Sequence, residues 1–247
     1  MFIENLRMKL GLNDEYDIQC GYEAGCLGYS LYNQLTAAGV KCVILAPTTM
    51  LTPQGVRIKT DMRDAYMIAQ CLSYGGYHAV YIPTEADDSV KEYLRMRNDH
   101  KLALKKIKQQ INAFCIRHGF CYDGTKWTLA HLNWLKKLEI TNELYRETLD
   151  EYMASYEDQE AKIERYDKRI EEIAEQTKYY DKVKKLKCFL GIKTHTALSL
   201  IVENGDFERF AKGNQYASYL GLAPGENSSS DSIHRLGITK AGNSHLG

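Results

Sequence analysis

The chain has 247 residues, and 44% of them are hydrophobic. This composition supplies enough apolar surface for a folded core and excludes a fully disordered protein. The 32 basic and 32 acidic residues cancel, which excludes a uniformly basic nucleic-acid binder but leaves room for a local basic surface. The sequence has neither an apolar run of the roughly 18 residues that a membrane span needs nor a signal-peptide pattern, so we expect a cytoplasmic protein without membrane contact.

The first third of the chain has the pattern of an α/β domain. The predicted elements alternate in the order helix 1–10, strand 16–22, helix 25–38, strand 40–46, helix 60–73 and strand 79–82. Strands separated by helices are typical of a parallel sheet. The pattern opens on a helix, which predicts that the first strands of this domain are missing from the chain.

The middle of the chain is predicted to be helical. Residues 84–118 and 142–186 each have the periodicity of one long helix, with a shorter helix at 126–137 between them. Apolar residues along 142–186 recur at spacings of three, four and seven, which indicates an antiparallel coiled-coil arm.

The last part of the chain is predicted to form a small, mainly α-helical domain. Within it, residues 188–204 resemble a helix–hairpin–helix segment, in which the turn presents backbone N–H groups to a phosphate. The predicted domains are therefore 1–83, 84–186 and 187–247.

Three acidic residues of the α/β region are candidates for a metal site. Glu23 follows a predicted strand, and in open α/β sheets the carboxyl ends of the strands are where ligands bind. Asp61 and Asp64 open a predicted helix, and their spacing puts both carboxylates on one face. The structural alternative is that this pair only stabilises the helix, because the helix macrodipole favours negative charge at its N-terminus. The functional alternative is Mg²⁺, which prefers oxygen ligands.

Basic residues are concentrated on the predicted helix 84–118. They are either a plain solvated surface or a contact for nucleic-acid phosphates. The same two interpretations apply to cations that flank the acidic pair and the C-terminal loop. The candidate nucleic-acid contacts are Arg57, Lys59, Arg97, Lys101, Lys105, Lys108, Arg235 and Lys240.

Four segments of the sequence read YEAGCLGYSLYNQLTAAGVKCVILAPTTM, GVRIKTDMRDAYMIAQ, DGTKWTLAHLNWL and GDFERFAKGNQYASYLGLAPGENSSSDSIHRLGITKAGNSHLG. They resemble, in order and almost end to end, the IS110 family of insertion-sequence transposases. These are RNA-guided recombinases related to the pilin-gene inverting recombinase. The resemblance implies an RNase H-like, resolvase-like α/β domain at the N-terminus, a helical arm and a C-terminal transposase domain.

The resemblance also implies four catalytic acids in the order Asp, Glu, Asp, Asp. The last three correspond to Glu23, Asp61 and Asp64, which would hold Mg²⁺. The first normally lies on an opening strand farther upstream, and Asp14 and Asp17 are too close to Glu23 to be its equivalent. We therefore expect the chain to lack the first catalytic acid and to be truncated at both ends.

A serine-rich stretch near the C-terminus is the second candidate site. By composition alone, a loop of Ser, Gly and Asn is typical of a flexible surface connection. The resemblance implies that this loop carries a nucleophilic serine, with Ser229 as the first candidate and Ser228 as the second. Ser230 stands where the family usually has glycine.

The function implied by the resemblance is that of a transposase or site-specific recombinase of an insertion sequence. A serine would attack a DNA phosphodiester, assisted by Mg²⁺ at the acidic cluster. The implied partners are DNA, a guide (bridge) RNA and further copies of the chain, as a homodimer or homotetramer through the arm, at the bacterial nucleoid. The alternatives are a catalytically inactive nucleic-acid-binding remnant, a metal-dependent nuclease that uses only the three acids, and a coiled-coil scaffold.

Overall fold

The computed structural model describes residues 2–11, 16–47, 50, 60–226, 234–239, 242–243 and 245–246. Its helices are α1 (Phe2–Leu10), α2 (Ser30–Ala37), α3 (Asp61–Tyr74), α4 (Glu85–Arg117), α5 (Leu129–Lys136), α6 (Glu143–Ala174), α7 (Tyr180–Leu186), α8 (Thr194–Asn204) and α9 (Gly213–Tyr219). Its strands are β1 (Gln19–Glu23), β2 (Lys41–Leu45), β3 (Pro224–Glu226) and β4 (Arg235–Ile238).

The chain divides into two compact units, Met1–Ile82 (unit 1) and Pro83–Gly247 (unit 2). Unit 1 carries α1 to α3 with β1 and β2, and unit 2 carries the remaining elements. None of the described helices combines the length and the apolar content that crossing a membrane requires.

Unit 1 contains a β–α–β arrangement. β1 pairs with β2 in parallel over five residues, with Glu23 opposite Leu45, and α2 connects the two strands. This confirms the first two predicted strands and their direction. α2 begins at Ser30, later than predicted, because residues 24–29 form turns in which Gly28 has a φ of +53°.

The third predicted strand of unit 1 is wrong. Of residues 79–82, only Ala79 pairs, in an isolated bridge that runs antiparallel to Leu45. The left-handed Gly75 ends α3 and turns the chain, and a hydrogen bond of 2.8 Å from the Val80 N–H to the Ile44 carbonyl closes the bridge. An apolar run predicts an extended segment but not the direction of its partner. The RNase H-like fold therefore remains a prediction beyond its parallel β1–β2 pair.

The core of unit 1 lies between the strands and α3. Its buried members are Leu45, Met50 and Cys71. A Cβ on Gly21 would lie 2.9 Å from methyl carbons of both Leu45 and Leu72, which is closer than real Cβ contacts. Gly21 therefore allows α3 to pack closely on β1, and this packing places the first turn of α3 within the same unit as Glu23.

Unit 2 is built on the antiparallel pair of α4 and α6. Arg97 of α4 bonds Asp167, whereas Lys108, farther along α4, bonds Glu160, so the two helices run in opposite directions. An antiparallel helical arm was predicted without naming the two helices that pair, and α4 matches the predicted helix 84–118. A supercoiled coiled coil remains a prediction.

Two hydrophobic clusters lie along this pair. One is centred on Leu94, Ile170 and Tyr179 and includes buried residues of α8. The other is centred on Ile111, Phe114, Leu135 and Leu149 and includes the predicted helix at 126–137, which is α5. The side chain of Thr128 caps α5 by accepting from the His131 N–H.

The predicted single helix 142–186 is wrong, because α6 ends at Ala174 and α7 starts at Tyr180. The break places Tyr179 in the core, where its hydroxyl donates a 2.8 Å hydrogen bond to Asp87 of α4. Burial and this carboxylate raise the pKa of the Tyr179 hydroxyl well above its usual range. The contact of Tyr179 with Asp87 thus accompanies a break in a helix that the local sequence pattern alone would continue.

The part of the chain that follows α6 packs in the same hydrophobic core as the α4–α6 pair. Ala197, Leu198 and Val202 of α8 are buried in the first cluster, and all residues after Ile82 belong to unit 2. α7, a turn and α8 follow one another where a helix–hairpin–helix segment was predicted. β3 and β4 then form an antiparallel pair near the C-terminus.

Candidate functional site

The three predicted carboxylates lie in unit 1. Glu23 is the last residue of β1 and is half-buried. Asp61, which is exposed, and Asp64, which is half-buried, lie in the first turn of α3. The side chain of Thr60 accepts a 3.4 Å hydrogen bond from the Arg63 N–H, as expected of a helix cap.

Carboxylate oxygens have the right chemistry for Mg²⁺, which is usually held by one or two carboxylates together with a substrate phosphate. Within the described residues, however, no group of three or more His, Cys, Asp and Glu side chains is close enough to hold a metal ion. The structure therefore does not gather Glu23 with Asp61 and Asp64 into a ready-made site.

The candidate nucleophiles, Ser228 and Ser229, lie outside the described residues, as do Arg57, Lys59 and Lys240. The segments on either side of the serines are described. β3 precedes them and β4 follows them, and Arg235 is exposed at the start of β4.

The two ends of the serine-bearing segment are tied together. The Thr239 N–H donates to the Ala223 carbonyl at 3.0 Å, and the Asn243 N–H donates to the Tyr219 carbonyl at 2.9 Å. Gly242 packs so closely here that a Cβ would overlap the backbone of Tyr219 and of the two residues after it. We call these contacts the closing stitch, and they hold the base of the segment against α9.

A buried carboxylate joins the closing stitch to the arm. Glu203 of α8 has a side chain that is 6% exposed, and it accepts two hydrogen bonds from the Arg95 guanidinium of α4, at 2.8 and 2.9 Å. The Asn243 side chain donates to the same carboxylate at 2.9 Å. Burial alone would raise the pKa of Glu203, but the bonds from Arg95 and Asn243 outweigh burial and lower it.

No local pattern of the sequence reveals the Arg95–Glu203–Asn243 contacts. The three residues lie far apart in the chain, and each belongs to a residue type that is common on surfaces. Only the packing of α8 on α4 brings them together.

Two of the predicted phosphate contacts are engaged inside unit 2. The Arg97 side chain is 13% exposed, and its guanidinium makes a paired contact with Asp167, at 2.7 and 3.0 Å. Lys108 bonds Glu160 at 3.1 Å and lies 5.2 Å from the centroid of the Trp127 ring. These two side chains therefore connect α4 to the rest of unit 2.

The spacing of residues along α4 explains which of its cations face α6 and which do not. The side of α4 that faces α6 follows a heptad, which consists of Leu94, Arg97, Lys101, Leu104, Lys108, Ile111 and Cys115. Lys101 and Lys105 are both exposed, but Lys101 lies on the heptad and lines a groove with Glu160 and Asp167 of α6, whereas Lys105 lies off the heptad. Counting heptad positions along residues 94–115 of the sequence therefore separates the cations that face α6 from those that do not.

The tyrosines of the arm serve packing. Tyr156 is buried and stacks on Trp127 with 5.5 Å between ring centroids, and Tyr166 meets Tyr93 edge-on. Burial and the neighbouring Glu160 raise the pKa of Tyr156 to about 12. These contacts assign Tyr156 and Tyr166 to packing within unit 2.

Comparison with known proteins gives a consistent result. Residues 183–246 match the model of the transposase IS116/IS110/IS902 family. The chain is 36% identical over 216 residues to the transposase for insertion sequence element IS1533 of Leptospira borgpetersenii. It is 33% identical over 226 residues to the putative transposase y4qE of Sinorhizobium fredii, and 26% identical over 215 residues to the transposase for insertion sequence element IS1111A of Coxiella burnetii. Residues 183–246 thus match the transposase domain of the IS116/IS110/IS902 family, and the chain is similar to insertion-sequence transposases over most of its length.

The alignments cover 86%, 91% and 80% of this chain, but only 61%, 55% and 56% of the three relatives. The chain thus spans little more than half the length of these three relatives. The part that matches the family model runs from α7 to the closing stitch. It therefore includes the serine-bearing segment and the carboxylate of Glu203.

Proposed function

We propose that this chain acts in the transposition of an insertion sequence, as an IS110-family transposase that cuts and rejoins DNA through a serine nucleophile. The observation that carries the proposal is the family match over 183–246, which contains both candidate serines. The closing stitch supports it, because a nucleophile needs a segment with fixed ends.

In the proposed reaction, the Oγ of Ser229, or of Ser228, attacks a phosphorus atom of the DNA backbone. The new bond joins the serine oxygen to phosphorus, the bond from phosphorus to the 3′ oxygen breaks, and the serine proton ends on the released 3′-OH. Attack by that hydroxyl on the phosphoserine of another strand end reverses these steps and rejoins DNA.

Glu23, Asp61 and Asp64 are the proposed ligands of Mg²⁺. When bound, the ion would neutralise charge that develops on the reacting phosphate. The position of Glu23 at the carboxyl end of a parallel strand, with the aspartates on a helix packed against that strand, supports this assignment. The three carboxylates would hold the ion and orient it.

DNA and a guide RNA are the proposed nucleic-acid partners. Among the cations of α4, Lys105 and Lys106 are exposed and off the α6-facing heptad, so they are the proposed phosphate contacts, together with Arg235 of β4. A homodimer or homotetramer through the arm is proposed for bringing the acids of one copy to the serine of the same or another copy.

The experiment is a search for a covalent protein–DNA adduct. The chain is incubated with labelled duplex DNA that carries the ends of its own element, with transcript from the flanking sequence and with Mg²⁺ or EDTA. Denaturing gels then separate the adduct from free DNA. We expect an adduct in Mg²⁺ that Ser229→Ala or Ser228→Ala abolishes, whereas Ser232→Ala, a matched change in the same segment, leaves it.

The other outcomes have distinct meanings. Cutting without an adduct, unaffected by both serine changes but lost in Asp61→Asn, would replace the proposal with a metal-dependent nuclease. DNA binding with no cutting under any condition would replace it with an inactive nucleic-acid-binding protein.

A further inference from the structure

The turn between α7 and α8, residues 187–193, carries two apolar side chains at its outer end. Phe189 is 64% exposed and Leu190 is fully exposed. Single exposed apolar residues are common on proteins, but two in succession at the tip of a turn form a protruding apolar surface.

Core packing and backbone hydrogen bonds hold the backbone of this turn in place. Leu186 and Ile192, on either side of the tip, pack against the first hydrophobic cluster of unit 2. The Phe189 N–H donates to the Leu186 carbonyl, and the Ile192 N–H donates to the Phe189 carbonyl, both at 3.1 Å. Gly191 has a φ of +87°, which glycine adopts without strain and which turns the chain back into the core. The apolar tip is therefore presented on a rigid base.

The surroundings of the tip are positively charged. Between residues 182 and 193 the sequence has no acidic residue. All five lysines of this stretch are exposed, namely Lys182, Lys184, Lys185, Lys187 and Lys193. The partner that fits this surface offers negative charge on both sides of an apolar slot. Duplex DNA has these properties, with phosphates on both edges of a groove and stacked bases between them.

We infer that the α7–α8 turn is a DNA wedge, in which lysines contact phosphates while Phe189 and Leu190 enter a groove and partly unstack one base step. Apolar side chains inserted in this way kink the duplex. The inference rests on the proposed function only in that the chain binds DNA; it does not depend on the serine chemistry.

The test measures binding of the full chain to a 2-aminopurine-labelled duplex taken from the end of its element. The double change Phe189→Ser with Leu190→Ser should weaken binding by about tenfold or more and abolish the rise in 2-aminopurine fluorescence that unstacking causes. It should leave the slope of log Kd against log salt unchanged. The double change Lys184→Gln with Lys185→Gln should instead lower that slope by about two. Leu144→Ser, at a residue that is 70% exposed in α6, is the matched control and should change neither.

Three results would overturn the wedge. They are equal binding by the parent and the Phe189/Leu190 double variant, no fluorescence change with the parent, and a change in the oligomeric state of the DNA-free chain in that variant, which would mark a protein contact. A parent chain that binds no duplex even at low salt would instead refute the proposed function together with the wedge. A chain that binds through the wedge but forms no adduct would refute only the serine chemistry.

Discussion

The two units of the molecule differ in how much apolar surface holds them together. Within the described residues, the core of unit 1 is a small cluster around Leu45, Met50 and Cys71 beneath two strands. Unit 2 has two larger clusters spread along two helices of more than thirty residues each. Because stabilisation grows with the apolar area buried, we expect unit 2 to resist unfolding better than unit 1. The unit with the candidate metal ligands is thus the more easily deformed one.

The largest effect should come from a cavity in the core of unit 2. Leu149 is fully buried, and Leu149→Ala should lower the free energy of unfolding by about 2–5 kcal/mol because it removes apolar contacts and leaves a void. Urea denaturation followed by far-UV circular dichroism measures the change. Leu144→Ala, on the same helix but 70% exposed, is the control and should cost less than about 0.5 kcal/mol. Similar losses for the two variants would contradict the assigned core.

The next effect concerns the contact between the arm and the closing stitch. Glu203→Gln replaces the buried carboxylate with a neutral amide and leaves the Arg95 guanidinium poorly paired, at a cost of about 1–3 kcal/mol. The exposed partner of the same arginine provides the control, because Glu92→Gln should change stability by less than about 0.5 kcal/mol. A neutral Glu203→Gln would show that the ion pair does not anchor α8.

The same carboxylate predicts part of the acid sensitivity of unit 2. The pKa of Glu203 is lower in the folded protein than its ordinary value of 4.5. Its contribution is therefore fully present above that ordinary value and is lost as the pH falls through the lowered folded value. The free energy of unfolding, measured from pH 7 downward, should decline below about pH 4.5, and less steeply in Glu203→Gln. An equal decline in both proteins would assign the acid sensitivity to other groups.

An effect of similar size, but confined to unit 1, is expected where α3 packs on β1. Gly21→Val places atoms against Leu45 and Leu72 and should cost about 1–3 kcal/mol of local stability. Limited proteolysis should then cut unit 1 faster while unit 2 stays protected. Gly25→Val is the control, because a Cβ there meets only the Glu23 carbonyl oxygen, at 3.9 Å. Equal protection of both variants would mean that the contact between α3 and β1 is loose.

The smallest effect compares one helix cap in each unit. Thr60→Ala removes the cap of α3 and Thr84→Ala that of α4, and each should cost about 0.5–1 kcal/mol. We expect hydrogen exchange to rise locally at the start of α3 in the first variant, because α3 packs on the smaller core of unit 1. In the second, the packed arm should limit the change. The reverse order would contradict the difference between the units.

Much of the fold was predictable because it depends on local patterns. The parallel pair β1–β2, the cap at Thr60 and the long helix α4 follow from apolar runs, capping chemistry and periodicity. The bridge at Ala79 and the break before Tyr180 were not predictable, since each depends on a partner distant in sequence.

The candidate site was predictable to a similar extent. The positions of Glu23, Asp61 and Asp64 at element ends follow from the sequence, whereas their mutual distances depend on tertiary packing. The assignment of Arg97 and Lys108 to phosphate was made from charge density alone. Their acidic partners across the α4–α6 pair become visible only when the heptads of both helices are aligned.

The closing stitch has a practical consequence for protein engineering. The hydrogen bonds from Thr239 to Ala223 and from Asn243 to Tyr219 fix where the intervening chain starts and ends. Once its ends are fixed, a flexible chain can double in length at an entropic cost of only about 0.6 kcal/mol. We therefore expect that the stretch between Ala223 and Thr239 can be exchanged for the equivalent stretch of another transposase, or for a reporter peptide, while these two hydrogen bonds are kept.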